Sequence, residues 1–239
     1  MTTLGIIPAR GGSKGVARKN VRMLAGKPLL AWAAEAAIAS SLDRVILSSE
    51  DQEIIEVARH YSVEIPFRRP QELAEDHTPA IDVVLHALKA LFEIEGYRPD
   101  AVMLLQPTSP LRTTLHINQA LDLFEQHPEA TSLVSVVRVP HNMTPESIMF
   151  LGEDGYLGSV SPWDERKNLR HLKPAYFARN GAAIYLTRTE CILEEQSLYG
   201  NKILAYPMLR EESIDIDELF DFEICEFLLS RKSSITGSS

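Results

Sequence analysis

The chain of 239 residues is 45% hydrophobic and carries a formal net charge of −9. That length suits one large domain with a sizeable core, and the acidity argues against a general nucleic-acid binder. The charge-free apolar run Pro28 to Ala34 is far too short to span a bilayer, and MTTLGIIPAR lacks the basic region of a leader peptide. Neither a membrane nor a nucleic acid is an expected partner.

LGIIPA (4–9) is an apolar run ending at Pro and Gly, the pattern of a buried strand. Pro28 opens an alanine-rich helix over 27–41. RVILSSE (44–50) is a second strand, with Ser48 or Ser49 set to cap the helix DQEIIEVARHY. VEIPF is a short third strand. A long helix opens at Thr78 and Pro79 and closes at Gly96; its His86 reads as a packed or capping residue. DAVMLLQ (100–106) is a fourth strand, TTLHINQALDLFEQH a helix stopped by Pro128, and TSLVSVVRV (131–139) a fifth strand. This alternation predicts an α/β fold with a mostly parallel sheet covered on both faces.

Turn formers then dominate residues 140–180, which read as an inserted arm with short strands and not as a second domain. GAAIYLTR (181–188) returns as a strand, KILAYPM and ESIDID follow, and ELFDFEICEFLLSRK is the last helix. The expectation is one domain over 1–232 and a disordered tail over 233–239. Cys191 and Cys225 read as reduced thiols of a cytosolic protein, a disulfide between them being the other arrangement the count allows.

Charge is unevenly spread. No acid precedes Glu35, and that stretch holds Arg10, Lys14, Arg18, Lys19, Arg22 and Lys27. No base lies between Arg210 and Arg231, and that stretch includes Glu211, Glu212, Asp215, Asp217, Glu218 and Asp221. Such a pair of segments suits a polyanion with a divalent metal, or else two solvated faces.

GGSKG (11–15) fits the G-x-S-x-G of a hydrolase nucleophile, which would make Ser13 reactive. That elbow needs an earlier strand for its oxyanion loop, and here it follows the first strand. His60, His77, His86, His116 and His127 lie on or beside ordinary helical segments. Neither the P-loop nor the dinucleotide-binding spacing fits the glycines at 11, 12 and 15. An anion cradle fits better: Gly11 and Gly12 expose backbone N–H groups, Ser13 donates, and Arg10, Lys14 and Lys19 offset phosphoryl charge.

ESIDID alternates strictly. As a strand it would project Asp215 and Asp217 from one face, roughly 6–7 Å apart. Two such carboxylates suit Mg²⁺ shared with phosphate oxygens; alternatively, Asp217 caps the last helix and Asp215 is solvated.

IIPARGGSKGVARKN, GKPLLAW, RPQELAEDHTPAIDVVLHAL, LLQPTSPLR, RNGAAIY and SIDIDELFDFEICE, in that order over about residues 4 to 229, resemble the acylneuraminate cytidylyltransferase family. The resemblance implies a Rossmann-like fold of the nucleotide-diphospho-sugar transferase type with a protruding dimerisation arm, and a cytoplasmic homodimer. It implies transfer of CMP from CTP to the anomeric hydroxyl of a sialic-acid-like nonulosonic acid, with 3-deoxy-manno-octulosonate as the alternative acid. Ala9, Arg10, Gly12, Ser13, Lys19, Asn20 and Arg69 match its nucleotide-binding positions. Gln106 and Arg179 match sugar-acid contacts, Asp215 and Asp217 the Mg²⁺ carboxylates. Arg10, Lys19 and Asp217 carry the catalytic expectation. Pro79 and Ala80 stand where sialic-acid enzymes often have small hydroxyl residues. Arg166, Lys167 and Arg170 of the arm are further candidates for the acid's carboxylate.

Overall fold

The computed structural model describes residues 1–161 and 174–236. β1 (Thr3–Pro8) leads into the glycine-rich loop. β2 (Met23–Leu24) and β3 (Lys27–Pro28) pair antiparallel and close that loop, and α1 (Leu29–Ile38) starts directly after Pro28. β4 (Arg44–Ser48) runs into α2 (Gln52–His60). Asp51, and not Ser48 or Ser49, caps α2: its carboxylate accepts from Ile54 N–H at 3.1 Å. Ser49 is occupied instead in accepting from Asp51 N–H. VEIPF makes only a parallel bridge between Ile46 and Glu64; Pro66 two residues on has no N–H to extend a ladder.

α3 (Ala80–Glu95) ends at Gly96 in the left-handed region. β5 (Ala101–Leu104), α4 (Thr114–Glu125) and β6 (Ser132–Arg138) follow. β7 (Met149–Leu151) and β8 (Leu157–Ser159) form a separate antiparallel hairpin within the inserted region. The chain returns through β9 (Phe177–Arg179), β10 (Tyr185–Arg188), α5 (Thr189–Glu195), β11 (Ile203–Met208) and α6 (Leu219–Thr236).

The main sheet has the order β11-β6-β10-β5-β1-β4, with β9 also paired to β6. β4, β1 and β5 are mutually parallel, as are β6 and β11, while β9 and β10 run antiparallel to their neighbours. Alternate residues of β1 face opposite layers. Ile7 packs with Leu30, Ile54 and Phe124 on one side, whereas Leu4 and Ile6 pack with Val84, Leu91 and Ile192 on the other. His86 is packed edge-on against Phe67, as its apolar helix implied.

Three differences from the sequence reading concern the C-terminal half. The strand over 181–188 is cut short: consecutive positive φ angles at Gly181 (70°) and Ala182 (56°) bend the chain, so β10 begins only at Tyr185. ESIDID joins no sheet. It starts in one 3₁₀ turn (Arg210–Glu212), and Ile216 N–H donates to Thr108 O at 2.8 Å outside any ladder. The last helix runs on through Thr236, with no glycine to stop it before Gly237. Arg166, Lys167 and Arg170 lie outside the described residues.

Candidate active site

The carboxyl ends of the parallel strands β1, β4 and β5 deliver Arg10, Glu50 and Gln106 to one edge, where open α/β sheets hold ligands. Glu50 organises the first half of the site. Its buried carboxylate accepts from Gly11 N–H at 2.7 Å and pairs with the buried Arg69 at 2.6 Å. Arg69 also donates to Ala9 O at 3.3 Å. Asn20, buried in the same loop, donates to Arg10 O at 3.0 Å. Gly11 N–H is therefore taken up by a carboxylate of the protein and is not free for a ligand's phosphate, contrary to the expectation for that group. A side chain at Gly11 would collide with Asp51, while Gly12 faces open space.

The six basic residues before Glu35 divide. Arg18 pairs with Asp51 and Glu53, Arg22 lies over the Phe222 ring, and Lys27 pairs with Glu35. Arg10, Lys14 and Lys19 line a cavity of about 480 Å³ together with Ser13, Asn20 and Arg69. Across it stand Gln106, Thr108, Asp215 and Asp217. Asp76 bridges two of the cations, at 2.7 Å from Arg10 and 2.5 Å from Lys14. These partners, Lys14 foremost, hold its carboxyl below the usual range. Among the described residues no histidine lines this cavity, so Ser13 has no imidazole base beside it.

The two ends of the chain meet here through a third apolar cluster. Val16, Leu24 and Leu29 pack with Ile216, Phe222, Cys225 and Leu229, docking α6 on the glycine-rich loop. Ile216 is fully buried, and its flanking carboxylates stay with the cavity. Ile214 packs partly buried against the same cluster and Asp215 is itself partly buried, so ESIDID forms neither a strand nor a strict alternation of burial. Lys19 Nζ donates to Ile216 O at 2.6 Å, and a Cβ on Gly15 would lie 2.0 Å from Asp217 O. Asp217 N–H and Glu218 N–H donate to Asp221, which leaves the Asp217 side chain exposed.

Asp215 is mostly buried, and burial, helped by the charge of Asp217, pushes its carboxyl up to about 6. Its Oδ1 is buried with no hydrogen-bond partner. Asp215, Gln106 and Ala80 also line a second cavity of about 970 Å³. This one is walled by Pro79, Phe177, Arg179, Tyr185 and Tyr199. The exposed Arg179 guanidinium donates to the Tyr199 hydroxyl and lies over its ring. The two cavities therefore share Asp215 and Gln106.

Arg10, Ser13, Lys19, Asn20, Arg69, Gln106, Arg179, Asp215 and Asp217 line one or both of these cavities, whereas Ala9 and Gly12 belong to the adjoining loop and line neither. Glu50, Asp76, Thr108 and Gly181 were missed. Thr108 and Asp76 sit inside quoted motifs, but only the fold reveals Glu50 as the partner of Arg69 and Gly181 as the floor under Asp215.

Residues 4–202 match the sequence profile of the family described as Cytidylyltransferase. The chain belongs to this family. It is 34% identical, over 96% of its length, to the N-acylneuraminate cytidylyltransferase of Escherichia coli O18:K1:H7, of which it spans 52%. It is 32% identical to the CMP-N,N′-diacetyllegionaminic acid synthase of Legionella pneumophila, over 96% of this chain and 97% of that protein. The chain thus spans about half of the first relative and nearly all of the second. A CMP:2-keto-3-deoxy-manno-octonic acid synthetase solved with CTP shares the fold, with a TM-score of 0.71 over 97% of this chain and 100% of that one at 15% identity.

Proposed function

We propose that this cytidylyltransferase transfers CMP from CTP to the anomeric hydroxyl of a nonulosonic acid, giving the CMP-sugar and pyrophosphate. The observation that carries the reading is the pair of adjoining cavities, one basic and glycine-lined, the other roomy and faced by Arg179, with Asp215 and Gln106 between them. The smaller cavity takes the nucleotide and the larger the sugar acid, whose size falls within ordinary ligand-site volumes.

In this assignment Arg10 and Lys19 hold the triphosphate and stabilise the departing pyrophosphate. Ser13 donates to a phosphate oxygen, and Asn20 with the Ala9 and Gly12 backbone shapes the loop around the nucleoside. Arg69, neutralised by Glu50, fixes that loop in addition to facing the nucleotide. Gln106 orients the sugar and Arg179 binds its carboxylate. The anomeric hydroxyl attacks the α-phosphorus as pyrophosphate leaves, and Asp217 assists the loss of the hydroxyl proton. Two anions must approach each other for this, and the cations of the loop lower that repulsion.

Asp215 and Asp217 fit a Mg²⁺ ion. A buried carboxylate oxygen without a partner, beside a second carboxylate, is the donor set a hard cation needs. Among the described residues no cluster of three or more His, Cys, Asp or Glu is arranged for a metal, so Asp215 and Asp217 alone would be the protein's carboxylate donors to the ion. When bound, the ion supplies Lewis-acid stabilisation of charge on the transferring phosphoryl group.

A homodimer is part of the proposal. Met149, Phe150, Leu151, Tyr156 and Leu157 of the β7–β8 hairpin are exposed, an apolar surface suited to a second copy. The two free, buried thiols agree with a cytoplasmic setting. Among the described residues no helix is long and apolar enough to cross a membrane.

The test offers each nucleoside triphosphate with Mg²⁺ to N-acetylneuraminic, N,N′-diacetyllegionaminic and 3-deoxy-manno-octulosonic acids and measures pyrophosphate release. Release with CTP and a nonulosonic acid is expected. Release with none of them sinks the reading, and release with the octulosonic acid alone replaces it.

A further inference from the structure

Arg112 is buried, 2% exposed, with no carboxylate paired to it among the described residues. Its Nη1 donates to Ala183 O at 2.7 Å and to Gln106 O at 3.1 Å. Its Nε and Nη2 are buried without partners. A buried, uncompensated cation is costly, and a neutral donor could hold two carbonyls at less expense. The two carbonyls it holds lie side by side beside the larger cavity, where the antiparallel register of β5 and β10, carried on from Tyr185 opposite Leu104, sets Ala183 opposite Gln106. One is the backbone of Gln106, which faces both cavities; the other closes the Gly181–Ala183 bend, whose Gly181 and Ala182 line the larger one. Burial pulls the guanidinium down to about 9 without neutralising it at pH 7.

We propose that Arg112 is a positioning residue for the sugar-acid cavity: it ties the Gln106 loop to the Gly181–Ala183 bend from beneath and adds its unpaired positive charge to the field met by a carboxylate-bearing substrate. The inference rests on the proposed CMP transfer for its substrate, but its structural half stands apart. In a water-poor surround that charge is weakly screened, so it acts on an anion it does not touch. Arg112 works through the backbone of other residues and is not itself a catalytic group.

The test compares wild type with Arg112→Met, Arg112→Gln and Arg112→Lys. N-acetylneuraminic and N,N′-diacetyllegionaminic acids are the probes, and the one wild type turns over is used for kinetics. Arg112→Met is expected to raise KM for the acid by about tenfold or more while KM for CTP stays within about threefold. Its thermal midpoint is expected not to fall, since a costly buried charge has gone. Arg112→Lys, keeping the charge, recovers part of the acid KM, whereas Arg112→Gln does not. Amide exchange in peptides covering 105–109 and 180–185 is expected to quicken by about tenfold in Arg112→Met, with β1 unchanged.

An unchanged acid KM in a folded Arg112→Met protein overturns the proposal. So does a loss of every kinetic parameter in step with the thermal midpoint, or failure of all three variants to fold, since either marks a residue needed only for folding. If wild type turns over neither acid, the CMP-transfer reading falls, and the exchange comparison alone decides the positioning: unchanged rates at 105–109 and 180–185 refute it.

Discussion

Gly181 and Asp215 touch in a way only glycine allows. Gly181 sits at φ 70°, and a Cβ there would lie 2.1 Å from Asp215 Cγ. The carboxylate between the two cavities thus rests on the bend that interrupts the returning strand. Gly181→Ala brings left-handed strain of about 1 kcal/mol and also drives Asp215 off its seat. Loss of turnover by about 10²-fold is expected, as for a displaced reacting group, in a protein whose circular dichroism matches wild type. Near-normal kcat in a folded Gly181→Ala variant would show that Asp215 needs no such seat.

Asp215→Asn should stabilise the metal-free protein at neutral pH. The carboxyl titrates at 3.8 in an unperturbed setting and at about 6 in the fold, burial being the main cause. A raised folded-state value means the folded protein keeps a proton that the unfolded chain releases. The resulting stability is complete below 3.8 and is lost as pH rises through 6. A gap of about two pH units corresponds to about 3 kcal/mol. In chelator, urea denaturation should find the Asn variant more stable than wild type at pH 8 by up to that amount, with the difference closing towards pH 4. Added Mg²⁺ should stabilise wild type only, and Mg²⁺-dependent turnover should vanish in the variant. A variant less stable than wild type at pH 8 contradicts the burial argument.

The parallel framework was legible because its signals are local. β1, β4 and β5 are short apolar runs between helices of clear period, and the break at Gly96 is a glycine cap. The glycine-rich loop and the DID pair were also visible, since residue type alone advertises anion and cation chemistry. That they meet could not be read from spacing, because it depends on Val16 and Leu24 packing against Ile216 and Phe222 of the opposite chain end. ESIDID misled as a strand because its apolar residues Ile214 and Ile216 pack into that cluster without joining any ladder. The bend at Gly181–Ala182 was hidden for a different reason: alanine at positive φ has no sequence signal, and tertiary contacts hold it there. Glu50 closed the strand segment RVILSSE with no role of its own, and only the fold pairs it with Arg69.

Asp76 occupies two of the four cations that line the smaller cavity, Arg10 and Lys14. Asp76→Asn releases Arg10 and Lys14 for phosphate, so KM for CTP should fall by about two- to fivefold at low salt, the scale of exposed ion pairs. The advantage should fade near about 0.5 M salt, where exposed charges are screened. Steady-state kinetics at two ionic strengths check it. A higher KM at low salt would mean that Asp76 orders the two cations for the nucleotide and does not compete with it.

Glu50 and Arg69 form a buried pair, so removing one charge should cost more than removing both. Glu50→Gln keeps an oxygen for Gly11 N–H but strands the Arg69 guanidinium. A loss of about 3 kcal/mol is expected, at the low end for a broken buried pair. Arg69→Met strands the carboxylate in the same way. The double variant removes both charges and should lie closer to wild type than the sum of the singles, with a coupling of about 1–3 kcal/mol by urea denaturation. Additive losses would mean that the 2.6 Å contact contributes nothing as a pair. Restored stability need not restore function. The charged acceptor for Gly11 N–H and the donor to Ala9 O are both gone in the double variant, so the loop beneath Arg10 and Ser13 is held less firmly. KM for CTP should therefore stay raised in the double variant even as its stability recovers, separating the pair's hold on the loop from its share in the fold.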